Sequence, residues 1–378
     1  MKTQTPLSAS CLSIALSGLS ALGLLGVLAV STPAQALDCG TPSGSRCLTS
    51  SATQYAGGFS PGVGFGGFGG GTCTATRTPV VFVHGNADRA ISWDGITSAV
   101  PGYAQAPRSV YDELRARGYN DCELFGITWL STDEQSDSSA AYNYHKPAKY
   151  QILKTFIDKV KAYTGKSQVD IVSHSMGVTI ALSTIRYYGI PSSVRRFVGI
   201  AGGLRGLNSC YYTGYANAYS PTCGSQNVYD AYVYGYFPEG VYGGAYVNND
   251  WTGTGNNLSL RDQPYYYTAP SFYTIRAGQK DQVLCSTTTG FSTCGDSAKF
   301  NSYTNVKSQL NIGAGSSATQ YDWDWADGYP TNLAGGDKDG VGHFRAKNNS
   351  GVIIYNMLNT TCTGTGCASG YTYGPYKL

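Results

Sequence analysis

Only four histidines occur in the 378 residues, at positions 84, 145, 174 and 343, so chemistry that needs an imidazole has few places to happen. One of them lies in Val-Asp-Ile-Val-Ser-His-Ser-Met-Gly-Val, residues 169–178, where a β-branched run breaks into small residues and then into an apolar segment. Its centre, Ser173-His174-Ser175-Met176-Gly177, is one residue away from G-x-S-x-G, the strand–turn–helix that exposes a nucleophilic serine. The turn is tight enough that the residues two before and two after the nucleophile must be small, and Ser173 is nearly as small as the glycine it replaces. S-x-S-x-G by itself is a common string, so the case for Ser175 as nucleophile rests on the strand before it and the helix after it. A helix starting at Met176 would also aim that residue's N–H and the positive end of the helix dipole at a developing oxyanion.

A serine becomes nucleophilic when a base removes its proton and a carboxylate orients the base. On the strand–turn–helix scaffold the order along the chain is Ser, then Asp or Glu, then His. His84, His145 and His174 all precede Ser175, which leaves His343, in the glycine-rich loop Gly340-Val341-Gly342-His343-Phe344. The carboxylate is less forced, because Asp230, Asp250, Asp262, Asp281, Asp296 and a cluster at 322–327 all lie between serine and histidine. Asp281 is preferred: residues 271–277, SFYTIRA, read as a strand, and residues 278–283 form the loop at its C-terminal end, where parallel sheets place their chemistry. His84-Gly85-Asn86 follows another apolar strand and occupies the place of a second oxyanion donor, assigned to the Asn86 backbone N–H; the His84 side chain reads as structural.

Those residues need a scaffold, and the pattern supplies one. Short apolar runs at 79–83, 122–129, 169–172, 194–200, 271–277 and 306–312 read as strands. Segments 108–117, 149–163, 176–188 and 351–358 read as helices, the second with an apolar stripe of Ile152, Leu153, Phe156, Ile157 and Val160 ended by Gly165. Strand–helix alternation of this spacing argues for a mostly parallel sheet with helices on both faces, in a single domain. The rhythm is lost at about 202–270, a Tyr/Gly-rich excursion. Residues 56–72, AGGFSPGVGFGGFGGGT, lack the Gly-Lys-Ser/Thr of a phosphate loop and read as a coiled cover with aromatic plugs at Phe59, Phe65 and Phe68.

Residues 1–36 read as a secretion signal peptide: Lys2, an apolar stretch over 14–30, then the Ala34-Gln35-Ala36 cleavage site. Its removal leaves ten cysteines, an even number suited to disulfides in an oxidising compartment. Cys210/Cys223, Cys285/Cys294 and Cys362/Cys367 are close enough for local bridges, although spacing does not fix connectivity. Scattered cysteines and few histidines argue against zinc, and paired aspartates at 337 and 339 or within 322–327 read as turns, so no metal or organic cofactor is expected. With 13% charged residues, a net charge near +3 and no basic cluster, nucleic acid is excluded as a partner. The 49 glycines and 31 tyrosines suit a surface that meets something neutral and partly apolar; a monomer without stable membrane association is expected.

The segments TQYAGGFSPGVGFGGFGGG, HGN, ARGYNDCELFG, KTFIDKVKAYTGKSQVDIVSHSMGV, SCYYTGYANA, AGQKDQV and GVGHFRAK resemble the extracellular poly(3-hydroxybutyrate) depolymerases of the lipase-like type, over nearly all of the mature chain. That resemblance implies an α/β-hydrolase fold without a separate substrate-binding domain, a triad of Ser175, Asp281 and His343, and oxyanion donors at Asn86 and Met176. It also implies substrate contact through exposed aromatic side chains, which falls here on Tyr142, Tyr144, Tyr211, Tyr212, Tyr215 and Tyr229. The implied reaction is hydrolysis of amorphous polyester to 3-hydroxybutyrate oligomers. A lipase or general carboxylesterase would use the same triad, and a non-catalytic adhesin or carbohydrate-binding module is the alternative from another class.

Overall fold

The computed structural model describes residues 55–56, 59–95, 106–136, 147–204, 260–281, 283–284, 298–313 and 342–373. Residues 1–36, read as a signal peptide, most of the 202–270 excursion and all six tyrosines assigned to substrate lie outside them.

Eight strands form one sheet: β1 (Tyr55–Ala56), β2 (Gly67–Phe68), β3 (Val80–Val83), β4 (Leu124–Ile127), β5 (Val169–His174), β6 (Val194–Ile200), β7 (Ser271–Arg276) and β8 (Val306–Asn311). Their spatial order is β1-β2-β4-β3-β5-β6-β7-β8. The six strands from β4 to β8 run parallel, and β2 joins β4 antiparallel. Parallel neighbours need crossovers, and α3 (Pro147–Thr164) and α4 (Met176–Tyr187) cover one face while α1 (Val110–Ala116) and α6 (Gly351–Asn359) cover the other. Two further helices are short: α2 (Thr132–Ser136) and α5 (His343–Asn348). This order of strands, with the helices on both faces and a sharp turn after β5, is the α/β-hydrolase fold.

Alternation of side chains explains why the strands are apolar without a break. Val81, Val83 and Ile171 pack with Phe156, Ile157, Val178 and Leu182 on one face. Val80, Phe82 and Val172 pack with Val110, Leu114, Ile353 and Ile354 on the other. All four residues of β3 are fully buried. At the far end of the sheet, Arg195 pairs through Nε with the buried Asp170 at 2.9 Å and donates to the Leu358 carbonyl at 2.8 Å, so β6 holds the last turn of α6.

Two expectations change. The glycine-rich 56–72 segment is not wholly coil: Tyr55–Ala56 and Gly67–Phe68 add two short strands beside β4. A run of glycines at positive φ, including Gly64, Gly66 and Gly69–Gly71, lets the backbone come this close, where any Cβ on Gly69 would run into the Phe125 ring. Phe59 and Phe68 are buried plugs, Phe59 edge-on to Phe125 at 5.0 Å and Phe68 to Tyr111 at 5.2 Å, whereas Phe65 is half-buried. The second change concerns cysteines. Cys362–Cys367 is the local bridge that spacing allowed, but Cys73 bonds Cys122 across 49 residues, tying the glycine-rich cover to the entry of β4. Cys210, Cys223, Cys285 and Cys294 lie outside the described residues. Among the described residues no helix is long and apolar enough to cross a membrane.

Candidate active site

β5 ends and α4 begins within one residue, and that residue is Ser175, at φ 54° and ψ −128°. A non-glycine residue here is strained by about 1–3 kcal/mol and persists only if the surroundings hold it. They do: the Ser175 N–H donates to the Ile200 carbonyl at 2.8 Å, and the Ser175 carbonyl accepts from Val178 N–H at 3.0 Å. Ser173, fully buried, donates its Oγ to the Val198 carbonyl at 3.3 Å. Gly177 sits directly on β3, so that a Cβ would collide with the backbone oxygens of His84 and Val83. Gly85 in turn faces the serine, and a Cβ there would stand 2.8 Å from the Ser175 Cβ and 3.3 Å from its Oγ. The elbow and the loop after β3 are thus fitted to each other with no room for a methyl group on either glycine.

Asp281 follows β7 by way of a 3-10 turn, Gly278–Lys280. Its Oδ1 accepts from the backbone N–H groups of Val283 at 3.1 Å and Leu284 at 2.8 Å. His343 Nδ1 lies 2.9 Å from Asp281 Oδ1 and 3.0 Å from Oδ2, and both residues are buried. An ionised carboxylate only accepts, so Nδ1 carries the proton and donates it. His343 is not in a loop, as the glycines around it suggested, but is the first residue of α5, with Gly342 extended before it. Of the competing acids, Asp262 is engaged elsewhere, accepting from Asn301 Nδ2 and, at 2.7 Å, from the Tyr303 hydroxyl. Asp230, Asp250, Asp296 and the 322–327 cluster lie outside the described residues.

His84 is structural. Its Nδ1–H donates to the Gly85 carbonyl at 2.8 Å and its Nε2 accepts the Trp129 backbone N–H at 3.1 Å, with the Trp129 indole donating to the His84 carbonyl at 2.9 Å. Burial brings its pKa down to about 4, only partly countered by Asp88 and the Gly85 carbonyl. Asn86, the proposed second oxyanion donor, is half-buried in the same loop, and Met176 is buried at the start of α4.

Sequence reasoning missed two contributors. His174 is buried against His343, their ring centroids 4.7 Å apart, and its Nε2–H donates to the His343 carbonyl at 3.0 Å. A carbonyl cannot donate, so this bond fixes the His174 tautomer, and burial, with the neighbouring His343 and Lys347, holds its pKa well below the usual value. Lys347, one turn after His343, is the second; it is 1% exposed. The presence of a histidine beside the serine was visible in the sequence, but its partner lies 169 residues away. Among the described residues no group of three or more His, Cys, Asp or Glu side chains is placed to hold a metal.

The lipase (class 2) family model matches residues 77–234. That interval runs from the start of β3 through the elbow to beyond β6, and its family supports a lipase-like ester hydrolase. Among solved structures, Aspergillus fumigatus lipase B aligns with 77% of this chain at 13% identity and a TM-score of 0.42, and the chain spans 54% of that enzyme's length. The mature form of Bacillus licheniformis lipase BlEst2 aligns with 55% of this chain at 17% identity and a TM-score of 0.32, covering 69% of that enzyme. No curated protein matches the chain.

Proposed function

We propose that the chain is a secreted serine esterase that hydrolyses poly(3-hydroxybutyrate), in its amorphous form, to 3-hydroxybutyrate oligomers. The observation that carries the hydrolytic part of this reading is the strained Ser175 at the β5–α4 turn, opposite a loop that has no room for a side chain at Gly85. The substrate rests on the resemblance of the sequence segments to the lipase-like depolymerases. Asp281 holds the His343 proton on Nδ1, which leaves Nε2 as the base toward Ser175. The serine oxygen attacks an ester carbonyl, and the tetrahedral oxyanion receives the backbone N–H groups of Asn86 and Met176. His343 then gives its proton to the departing alkoxide; a 3-hydroxyacyl-enzyme remains, and water activated by the same histidine releases the oligomer. Substrate contact is assigned to Tyr142, Tyr144, Tyr211, Tyr212, Tyr215 and Tyr229 by the resemblance, because a tyrosine ring can lie on the polymer's methyl groups while its hydroxyl stays in water. Residues 1–36 direct export and are then removed, and the two disulfides among the described residues suit the oxidising compartment beyond.

The second reading, a lipase or general carboxylesterase, is favoured by the lipase family match over 77–234. Products released from amorphous and crystalline poly(3-hydroxybutyrate), with tributyrin as control, separate the two. Hydroxyacid oligomers from the amorphous polymer support the depolymerase, and turnover of tributyrin with no release from polymer overturns it. Ser175→Ala decides the chemistry: polymer hydrolysis that persists in this variant removes the serine mechanism altogether.

A further inference from the structure

Of the buried lysines among the described residues, Lys347 is the most completely enclosed and stands beside the proposed triad. Lys347 lies on α5, four residues after His343, with its Nζ 2.8 Å from Ser92 Oγ, 3.5 Å from Asp88 Oδ2 and 5.3 Å from the centre of the Trp93 ring. Ser92 Oγ donates to Asp88 Oδ2 at 2.7 Å, and Asp88 Oδ1 accepts the Arg89 N–H at 2.8 Å. Asp88 stands two residues after Asn86, in the loop that follows β3. Burial pushes the Lys347 ammonium down and Asp88 pushes it back up, the pattern of a charge kept in place by its partner. An apolar residue would fill the same space without removing an ammonium from water, so stability alone is a poor reason for a lysine here.

We propose that Lys347 is a positioning residue that locks the helix carrying the catalytic base to the loop carrying an oxyanion donor. This rests on the serine-esterase reading above. The lock closes a circuit. His174 of the elbow bonds the His343 carbonyl at the first residue of α5, Lys347 from the next turn reaches Asp88 of the oxyanion loop, at 3.5 Å directly and also by way of Ser92, and Gly85 of that loop abuts Ser175. Nucleophile, base and oxyanion donor come from segments far apart in sequence, and the circuit sets their spacing without any of its side chains touching substrate. A small displacement of reacting groups is expensive in rate, so the signature belongs in kcat rather than KM.

The test uses the full mature protein, p-nitrophenyl butyrate as a soluble ester and a p-nitrophenyl alkylphosphonate as a serine-directed probe with an oxyanion-like oxygen. Lys347→Met is expected to lower kcat about 10- to 100-fold, with KM within about twofold and a matching fall in the phosphonate inactivation rate. Ser92→Ala, which removes a single hydroxyl, keeps the test alive should Lys347→Met fail to fold; it is expected to shift kcat in the same direction by a smaller factor. The double variant should be no slower than Lys347→Met alone, because both act through one lock. Ser175→Ala serves as the separate control: activity surviving in it sinks the esterase reading, whereas an inactive Ser175→Ala beside a folded Lys347→Met of undiminished kcat sinks the lock. A kcat loss in Ser92→Ala that merely follows a lower melting temperature, and recovers on cooling, also overturns it.

Discussion

At Gly85 a single methyl group would press on the Ser175 side chain, at 2.8 Å from its Cβ, while touching little else that is rigid. Gly85→Ala should therefore fold with a loss of about 1–3 kcal/mol and lose activity out of proportion to that loss, by about 100-fold or more in kcat. Parallel measurement of the denaturation midpoint and of ester turnover checks the separation; proportionate losses would contradict it. At Gly177 the obstacle is the β3 backbone itself, so Gly177→Ala should fail in both assays. Ser173 behaves in the opposite way. Its Oγ makes one 3.3 Å bond to Val198, so Ser173→Ala should cost about 1 kcal/mol and leave turnover within about threefold, whereas Ser173→Leu should abolish it. The size of residue 173, and not its hydroxyl, was what the sequence argument used. Asp281→Asn should keep the fold and lower kcat by about 10⁴, as expected when the histidine tautomer is no longer fixed. In the chain these positions are argued from the scarcity of histidines and the constrained order of the three roles, and the structure brings Asp281 and His343 into contact and sets Ser175 at the strained turn. His174 and Lys347 could not be read from the chain, because a buried lysine in a short helix has the same sequence pattern as a solvated one until its partners in the β3 loop are known.

At the scale of elements, the junction of β3 and β4 has a pH dependence of its own. His84 must stay neutral, since its Nε2 accepts from Trp129, and its pKa of about 4 lies below the ordinary 6.5. Between those two values the unfolded chain binds a proton that the folded one does not, so stability is complete above about pH 6.5 and falls as pH drops toward 4. The total for this group is about 3 kcal/mol. Burial raises Glu123, but backbone and side-chain donors from Arg77, Asn120 and Thr76 bring it below the usual carboxylate value, so its own contribution is lost at still lower pH. Denaturant midpoints should hold level from pH 7.5 to about 6.5 and then decline toward pH 4.5, and a flat profile throughout would refute this account. The elements themselves were largely legible: β6 occupies 194–200 as read, and the long helices and central strands fall within a few residues of expectation. Misread were elements whose signal is not periodic. β2 is two residues long and built of Gly67 and Phe68, so no alternation exists to be seen, and α5 is a six-residue helix preceded by glycine. Its helical state follows from tertiary bonds at His343 and Lys347 rather than from propensity.

At the scale of the whole molecule, the two disulfides among the described residues differ in what they hold. Cys73–Cys122 closes a loop of 49 residues and should contribute about 4 kcal/mol, against about 2 kcal/mol for the five-residue Cys362–Cys367 closure. Paired Cys→Ala variants, melted under non-reducing conditions, should show the larger fall for the first pair, and equal losses would argue against the chain-entropy account. The polymer contact proposed above is tested at this scale too: replacing Tyr211 and Tyr212 together by alanine should weaken adsorption to amorphous polymer and leave soluble-ester turnover unchanged, a loss of both being the contrary result. The location of the disulfides has a further consequence. One lies beside the two-residue strands that finish the sheet at β4, and the other spans the turn whose Gly364 carbonyl receives Ser308 of β8. Each bridge thus ties down a segment toward one end of the strand order, and a segment held in this way is less free to open toward a strand from another molecule. On the polymer-film reading proposed above, copies would gather at high local density, and flanks held down in this way would limit edge-to-edge association between them.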